Sequence, residues 1–325
     1  MNTAAGYIAA HRERLGLERL GVPPRPACVV LTPRFRRSRH IVVLVLARGE
    51  PVLVAKLPRL PGDVQALARE ARNLEAVERA LAGHDEGTAP ALVAFQEGAA
   101  HPLLLETAVS GLPLSPAAIR RGRERIVVCV AAWVERLAAA TLRTPADDAW
   151  YERLVSAPLR SLAGRGDAEV AGMVDRTREL AEPLRSGTLP LVFEHGDLAH
   201  PNLVRQPDGR LGVLDWERAE PAGLPAHDLF FFLAYAALAG RGGRRRHRDD
   251  LAELEVAFFG PRAWAWEVVE RYALHLAIDA ALLRPLLAVS CARAVAASLP
   301  PPSLPVGDDA RRMMLLWHCA LGGGG

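Results

Sequence analysis

β-rich apolar runs are concentrated in the first third of this chain, and that division constrains the fold more than any other feature. Residues 27–32, 40–47 and 51–57 are rich in Val, Leu and Ile and are separated by turn residues, so they predict a three-stranded meander. Residues 63–82 switch to helical spacing. Leu67, Ala71, Leu74, Val77 and Leu81 share one face, with Asp63 placed as N-cap and Gly83 just past the end. Runs at 91–95 and 102–106 add two short strands. After Gly111-Leu-Pro113 the spacing is helical over 115–140, 148–163 and 167–184, and again from about 225 to 320. Between these lie a strand at 190–194 and a hairpin near 202–206 and 210–215, turned by Asp208-Gly209. The reading is α+β: a small β-rich N-terminal lobe with one helix over 1–108, and a larger, mostly helical C-terminal lobe over 109–325. A chain of 325 residues suits two such lobes.

Composition removes several classes. The formal charge of +3 is too small to suggest a nucleic-acid partner. The longest apolar run, Leu229–Ala239, is about half of the roughly 18 residues a membrane span needs, so no membrane is expected. The first residues lack a basic start followed by an apolar stretch, so no signal peptide is expected either. Cys28, Cys129, Cys291 and Cys319 are far apart and make no metal or redox spacing. A reduced, cytoplasmic setting follows as the default.

Of the 40 basic residues, 39 are arginine and one is lysine. Solvated basic positions exchange Lys for Arg cheaply, whereas a position needing a compact ammonium on a flexible stem does not. The surviving lysine, Lys56, ends the strand-like run Pro51-Val-Leu-Val-Ala-Lys56. In the following helix Glu70 falls inside the inward arc of Leu67, Leu74 and Val77. A buried acid needs a partner. Lys56 is the obvious one for Glu70, with Glu78 the weaker alternative and Glu75 at the rim.

The densest polar stretch is Val192-Phe-Glu-His-Gly-Asp-Leu-Ala-His-Pro-Asn202, followed by Gly212-Val-Leu-Asp-Trp-Glu217. Asp197 and Asn202 have the D-x-x-x-x-N spacing of kinase catalytic loops. A carboxylate there faces an acceptor hydroxyl, an amide oxygen reaches magnesium, and a second carboxylate, Asp215, bridges metal and phosphates. Magnesium takes hard oxygen ligands, few of them from protein.

His195-Gly-Asp197, Asn202 and Leu214-Asp-Trp-Glu217 resemble the aminoglycoside phosphotransferase and choline kinase family, which has a protein-kinase-like fold. Val54-Ala-Lys56 resembles its strand lysine and Arg69-Glu70 the glutamate partner. Leu103-Leu-Leu-Glu106 with Gly111-Leu-Pro resembles its hinge, and Pro225-Ala-His-Asp228 its later aspartate. The match is colinear over roughly 27 to 235. The resemblance implies an ATP-dependent (or GTP-dependent) O-phosphotransferase using Mg2+. Asp197 would orient and deprotonate the acceptor, Asn202 and Asp215 would hold metal, and Lys56, held by Glu70, would clamp phosphates. The backbone of Glu106, Thr107 and Ala108 would meet the purine. His195 would orient the loop and Asp228 brace it, although Asp228 also stands where a plain N-cap would. Glu217 is open among a second metal, the acceptor and an arginine partner. His200 reads as a surface or rim residue.

One departure stands out. The turn Thr32–His40 has no glycine where protein kinases carry a Gly-rich phosphate loop, leaving four arginines and Ser38 as candidate phosphate donors. The acceptor expected is a small-molecule hydroxyl, on a sugar, amino alcohol or natural product. From Arg218 onward there are 11 acids and 12 arginines, which disfavours a polycationic acceptor. The alternatives are a peptide Ser or Thr, as in lanthipeptide-type dehydration with the basic run Arg241–Arg248 holding an acidic leader, and a nucleotide-binding pseudokinase scaffold.

Overall fold

The computed structural model of the protein describes residues 3–31, 39–60, 63–97, 102–165, 167–186, 189–239, 247–299 and 306–322. Ser38, most of its turn, and the basic run through Arg246 lie outside the described residues. The first part of the chain carries α1 (Thr3–His11), β1 (Ala27–Leu31), β2 (His40–Ala47), β3 (Glu50–Pro58), α2 (Val64–Leu81), β4 (Leu92–Gln96), β5 (Leu103–Thr107) and β6 (Leu112–Pro113). Next come α3 (Pro116–Thr141), α4 (Ala149–Tyr151) joined by a π turn to α5 (Ala157–Ala163), α6 (Ala168–Ser186), β7 (Val192–Glu194), β8 (Leu203–Arg205), β9 (Leu211–Val213) and β10 (Glu220–Gly223). The rest is α7 (His227–Leu238), α8 (His247–Phe258), α9 (Trp264–His275), α10 (Leu283–Ser298) and α11 (Asp308–Gly322). By contacts the chain divides into two compact units, 1–113 with 202–219, and 114–201 with 220–325.

In the first unit, five antiparallel strands run in the order β1-β2-β3-β5-β4. The last strand inserts beside β3 and leaves β4 at the edge. Alternation then assigns the faces. Val43, Val45, Leu53, Ala55, Leu103 and Leu105 pack with Ala4 and Ile8 of α1 in one buried core. Val54 pairs with Glu106 and Lys56 with Leu104, so Lys56 and Glu106 lie diagonally on the other face. The buried stripe of α2 includes Leu67, Glu70, Asn73, Leu74 and Val77. Gly83 is left-handed at φ 76°, as a residue past a helix end requires. Asp63 stands at the N-cap position of α2 as expected, but its carboxylate makes no capping hydrogen bond and accepts instead from the Leu60 amide at 3.1 Å.

Although α3 to α6 separate it from β6 in sequence, the β8–β9 hairpin is built into this first unit. It pairs with β6. The loop after α2 holds it, Val213 N–H donating to Thr88 O at 2.7 Å and Gln206 Nε2 to Gly87 O at 2.9 Å.

In the second unit, every residue of α7 is buried, which fits a helix apolar on all sides. The stretch Ala280–Ser298, entering α10, corrects the expectation about apolar runs: by length and composition it could cross a membrane, but 67% of it is buried inside the protein. It packs as a core helix against α5, α6, α7 and α11.

Gly212 on β9 tests the hairpin. A Cβ there would lie 2.5 Å from Val204 Cγ2 and 2.6 Å from Val109 Cγ1. Gly212→Ala should therefore destabilise the protein by about 1–3 kcal/mol, the usual range for overpacking. Adding Val204→Ala should restore part of the loss in a thermal melt. An unchanged melting midpoint in Gly212→Ala would show that the hairpin yields freely.

Candidate functional site

Lys56 is 7% exposed and its ammonium is surrounded by acids. Nζ donates to Glu70 Oε1, lies 3.3 Å from Glu106 Oε1, and is 3.9 Å from Asp215 Oδ1. Glu70 is 0% and Glu106 4% exposed. Burial alone would lower the Lys56 pKa, but Glu106, Glu70 and Asp215 together outweigh it and hold the ammonium charged well above its ordinary range. The acids respond oppositely. Burial raises Glu70 to about 8 against the pull of Lys56, and raises Glu106 as well. One cation cannot neutralise two desolvated carboxylates, and each keeps an Oε2 with no hydrogen-bond partner among the described residues. Glu75 and Glu78 are exposed, so the inward phase of α2 selects Glu70.

Asp215 follows β9 in a left-handed conformation, φ 65° and ψ 71°. A non-glycine residue rarely adopts it, and such strain persists only where surroundings enforce it. They do so here. Trp216 is fully buried and its Nε1 donates to Val213 O at 3.1 Å. Asn73 Nδ2 donates to Trp216 O at 2.8 Å and Ala219 O at 3.1 Å, and Arg69 Nε to Glu217 O at 2.9 Å. The helix that presents Glu70 to Lys56 thus also grips the Asp-Trp-Glu turn, while the Asp215 carboxylate stays 42% exposed. Leu214 N–H donates to Asn202 O at 2.8 Å, which sets Asn202 at the same end of the hairpin as Asp215. Among the described residues no three His, Cys, Asp or Glu side chains form a metal cage. Two hard oxygen donors, one open to solvent, suit magnesium, which completes its shell with phosphate and water.

Glu217 lies against His40, with Oε2 3.8 Å from Nδ1. Burial, then Lys56, lowers His40 to about 4, so that imidazole is neutral; burial raises Glu217. The amide of Thr107 donates to Ala91 O at 2.9 Å and that of Ala108 to Val52 O at 3.0 Å. Those donors are engaged within the sheet, so a base contact through this stretch falls to carbonyls or to residues beyond Ala108.

In the second unit, the loop carrying Asp197 is pinned from beneath. Asp228 Oδ2 accepts from His195 N–H at 2.6 Å and Oδ1 from Gly196 N–H at 2.8 Å. Asp228 therefore braces this loop and does not cap α7, whose N-cap is Ala226. His195 is fully buried, and its Nδ1 accepts from the Asp197 amide at 3.2 Å. Just before the loop, Glu194 forms a bidentate pair with Arg293 of α10 at 2.8 and 2.9 Å and accepts from Leu224 N–H at 3.0 Å. Burial would raise Glu194, but Arg293 and His227 hold it below its ordinary value. Burial lowers His227 to about 4 and raises Asp228 to about 7, with Glu194 adding to the latter. His200 packs on the Tyr235 ring at 5.3 Å. Tyr235 donates its hydroxyl proton to Asp309, and Arg312 sits 4.4 Å over the ring.

Sequence reasoning missed Asn73, His40, Glu194, Arg293 and the Glu106 side chain. Asn73 had a signal, a polar residue in the buried arc of α2. Arg293 and Glu194 had none locally, being 99 residues apart.

These shifts fix a pH dependence. Above pH ~6.5, His40 and His227 are neutral in the native state and are losing their last protons in the unfolded chain, so they offset only a minor part of what the acids contribute. Glu70, raised to about 8, and Asp228, raised to about 7, still hold protons in the native state that the unfolded chain has released. The native state binds more protons, so stability falls as pH rises through 7 and 8. The melting midpoint should drop between pH ~6.5 and ~8.5; a rise across that window would contradict these assignments.

The sequence pattern of the phosphotransferase enzyme family, APH, matches residues 38–272. No curated protein sequence matches the chain. Solved structures match over nearly the whole length. Choline kinase LicA from Streptococcus pneumoniae aligns with a TM-score of 0.54 at 13% identity, covering 96% of this chain and 98% of that one. Ethanolamine kinase from Plasmodium vivax gives 0.57 at 13%, covering 98% and 90%. A thermostable aminoglycoside phosphotransferase APH(4)-Ia, in a ternary complex with ADP and hygromycin B, gives 0.61 at 14%, covering 97% and 99%. At these identities the likeness establishes the kinase-like fold, and the family match, which spans well over half of the chain, establishes kinship: the protein belongs to the phosphotransferase enzyme family.

Proposed function

We propose that the protein transfers the γ-phosphoryl group of a nucleoside triphosphate, ATP or GTP, to a hydroxyl of a small molecule. The observation that carries this reading is the desolvated Lys56–Glu70 pair, held by the same helix that grips the turn bearing the exposed Asp215. Lys56 would bind donor phosphates as a point charge. Asp215 and Asn202 would hold Mg2+, which when bound neutralises phosphate charge. Asp197 would accept the proton of the acceptor hydroxyl. That oxygen forms the new P–O bond as the bond from the γ-phosphorus to the bridging oxygen breaks, and the nucleoside diphosphate leaves with the electron pair. Catalysis rests on positioning and electrostatics, as phosphoryl transfer generally does. The structural neighbour crystallised with ADP and hygromycin B supports a nucleotide donor and a small-molecule acceptor.

The roles of the two aspartates separate experimentally. Ligand binding to the native state alone adds RT ln(1 + [L]/Kd), about 2.7 kcal/mol at a hundredfold excess over Kd. MgATP or MgGTP should therefore raise the melting midpoint. Asp197→Asn should keep that shift while turnover drops about 10²–10⁴-fold, the range of general-base catalysis. Asp215→Asn should reduce both shift and turnover, with extra magnesium restoring part of the binding. The reverse pattern would exchange the two roles, and no shift with either nucleotide would remove the reading.

Lys56→Arg offers a second check. A planar fork cannot replace a compact ammonium among three carboxylates. Turnover should fall nearly as far as in Lys56→Ala, and full activity in Lys56→Arg would contradict the clamp.

A further inference from the structure

The phosphotransfer reading makes no use of the Glu106 side chain, yet the fold buries its carboxylate on the ammonium meant for the donor. The β3–β5 register forces the placement, since Val54↔Glu106 and Lys56↔Leu104 set Lys56 and Glu106 diagonally on one face. Glu106 is 4% exposed, its Oε1 is 3.3 Å from Lys56 Nζ, and its Oε2 has no hydrogen-bond partner among the described residues. Among the described residues, the other charged groups within ion-pair distance of Nζ are the acids Glu70 and Asp215. Lys56 is thus shared between Glu106 and Glu70.

The two glutamates differ in how they are held. Glu70 accepts from Nζ on a helix that Asn73 and Arg69 fasten to the Asp-Trp-Glu turn. Glu106, on β5, stands 3.3 Å from Nζ. An ammonium has three protons. When donor phosphates approach Nζ, Glu106 is the one of the two buried glutamates that yields, and it is left as a buried carboxylate with less compensation. Desolvated charges stripped of a partner are costly, and the arriving polyanion adds repulsion.

We propose that Glu106 is a competing ligand of Lys56 that restrains nucleotide affinity, holding it below what the Lys56–Glu70 pair alone would give. This rests on the nucleotide-binding role of Lys56 proposed above. Glu106 is therefore a residue that tunes donor binding, distinct from the support supplied by Glu70.

Calorimetric titration with MgATP and MgGTP tests the proposal on the full chain and on Glu106→Gln, Glu106→Leu and Glu70→Gln, each with its own melting midpoint recorded. Glu106→Gln keeps the shape and removes the charge, and Glu106→Leu serves if the buried amide impairs folding. Both should tighten nucleotide binding about tenfold, between the bulk-water and near-surface worth of one charge contact. Glu70→Gln should weaken it. Unchanged or weaker binding in the Glu106 variants would overturn the proposal and make Glu106 a second support of the lysine. If the unmodified chain bound neither nucleotide, the functional reading itself would fall, and this inference with it.

Discussion

A single ammonium, Lys56, holds together three acids that arrive from different parts of the first unit. Glu70 comes from α2, Glu106 from β5 and Asp215 from the turn after β9. Two of them are buried, and without the lysine nothing would offset the cost of ionising them in a dry interior. Breaking a buried pair by removing one partner typically costs about 3–5 kcal/mol. The cluster is therefore a structural knot as well as a candidate binding site. The same helix closes it from both ends, presenting Glu70 to the lysine and using Asn73 and Arg69 to catch carbonyls of the Asp-Trp-Glu turn. That grip explains how Asp215 can sit in a strained left-handed conformation with its carboxylate still open to solvent.

The second unit solves a related problem differently. The loop bearing Asp197 offers backbone amides, and a buried carboxylate, Asp228, receives two of them. Asp228 itself enters the interior near Glu194, a like charge, and the Arg293 guanidinium balances that pair. Gly223 permits the approach, since a Cβ there would fall 2.5 Å from Glu194. Ala226, left-handed at φ 62°, has its amide held by the Tyr272 hydroxyl at 3.2 Å just before Asp228. Neutral His227 fills the remaining space without adding charge.

Much of this was legible from residues alone, and the limits have physical causes. Strand and helix periodicity placed the elements of both units because burial follows period two or 3.6. The phase of α2 selected Glu70 over Glu78 for the same reason. Strand order was not legible: nothing in residues 103–107 says that β5 inserts beside β3, and that insertion alone brings the Glu106 carboxylate to Lys56. The Asp228 position was legible as polar and special, but bracing and capping look alike until the partner amides of His195 and Gly196 are located. The helix entering α10 hid its core role because its two arginines break the apolar run, one of them being the partner of Glu194. Asp63 had the right residue type for a cap and spent its carboxylate on Leu60 instead.

In the proposed function Lys56, anchored by Glu70, receives the donor phosphates while Asp215 and Asn202 receive the metal. A crystal structure of the protein with magnesium and the nonhydrolysable donor AMP-PNP tests it most directly. The account predicts Nζ of Lys56 within hydrogen-bond distance of a phosphate oxygen with its Glu70 contact intact, and a metal ion ligated by Asp215 and Asn202. A nucleotide bound away from Lys56, or a metal held by other side chains, would contradict it.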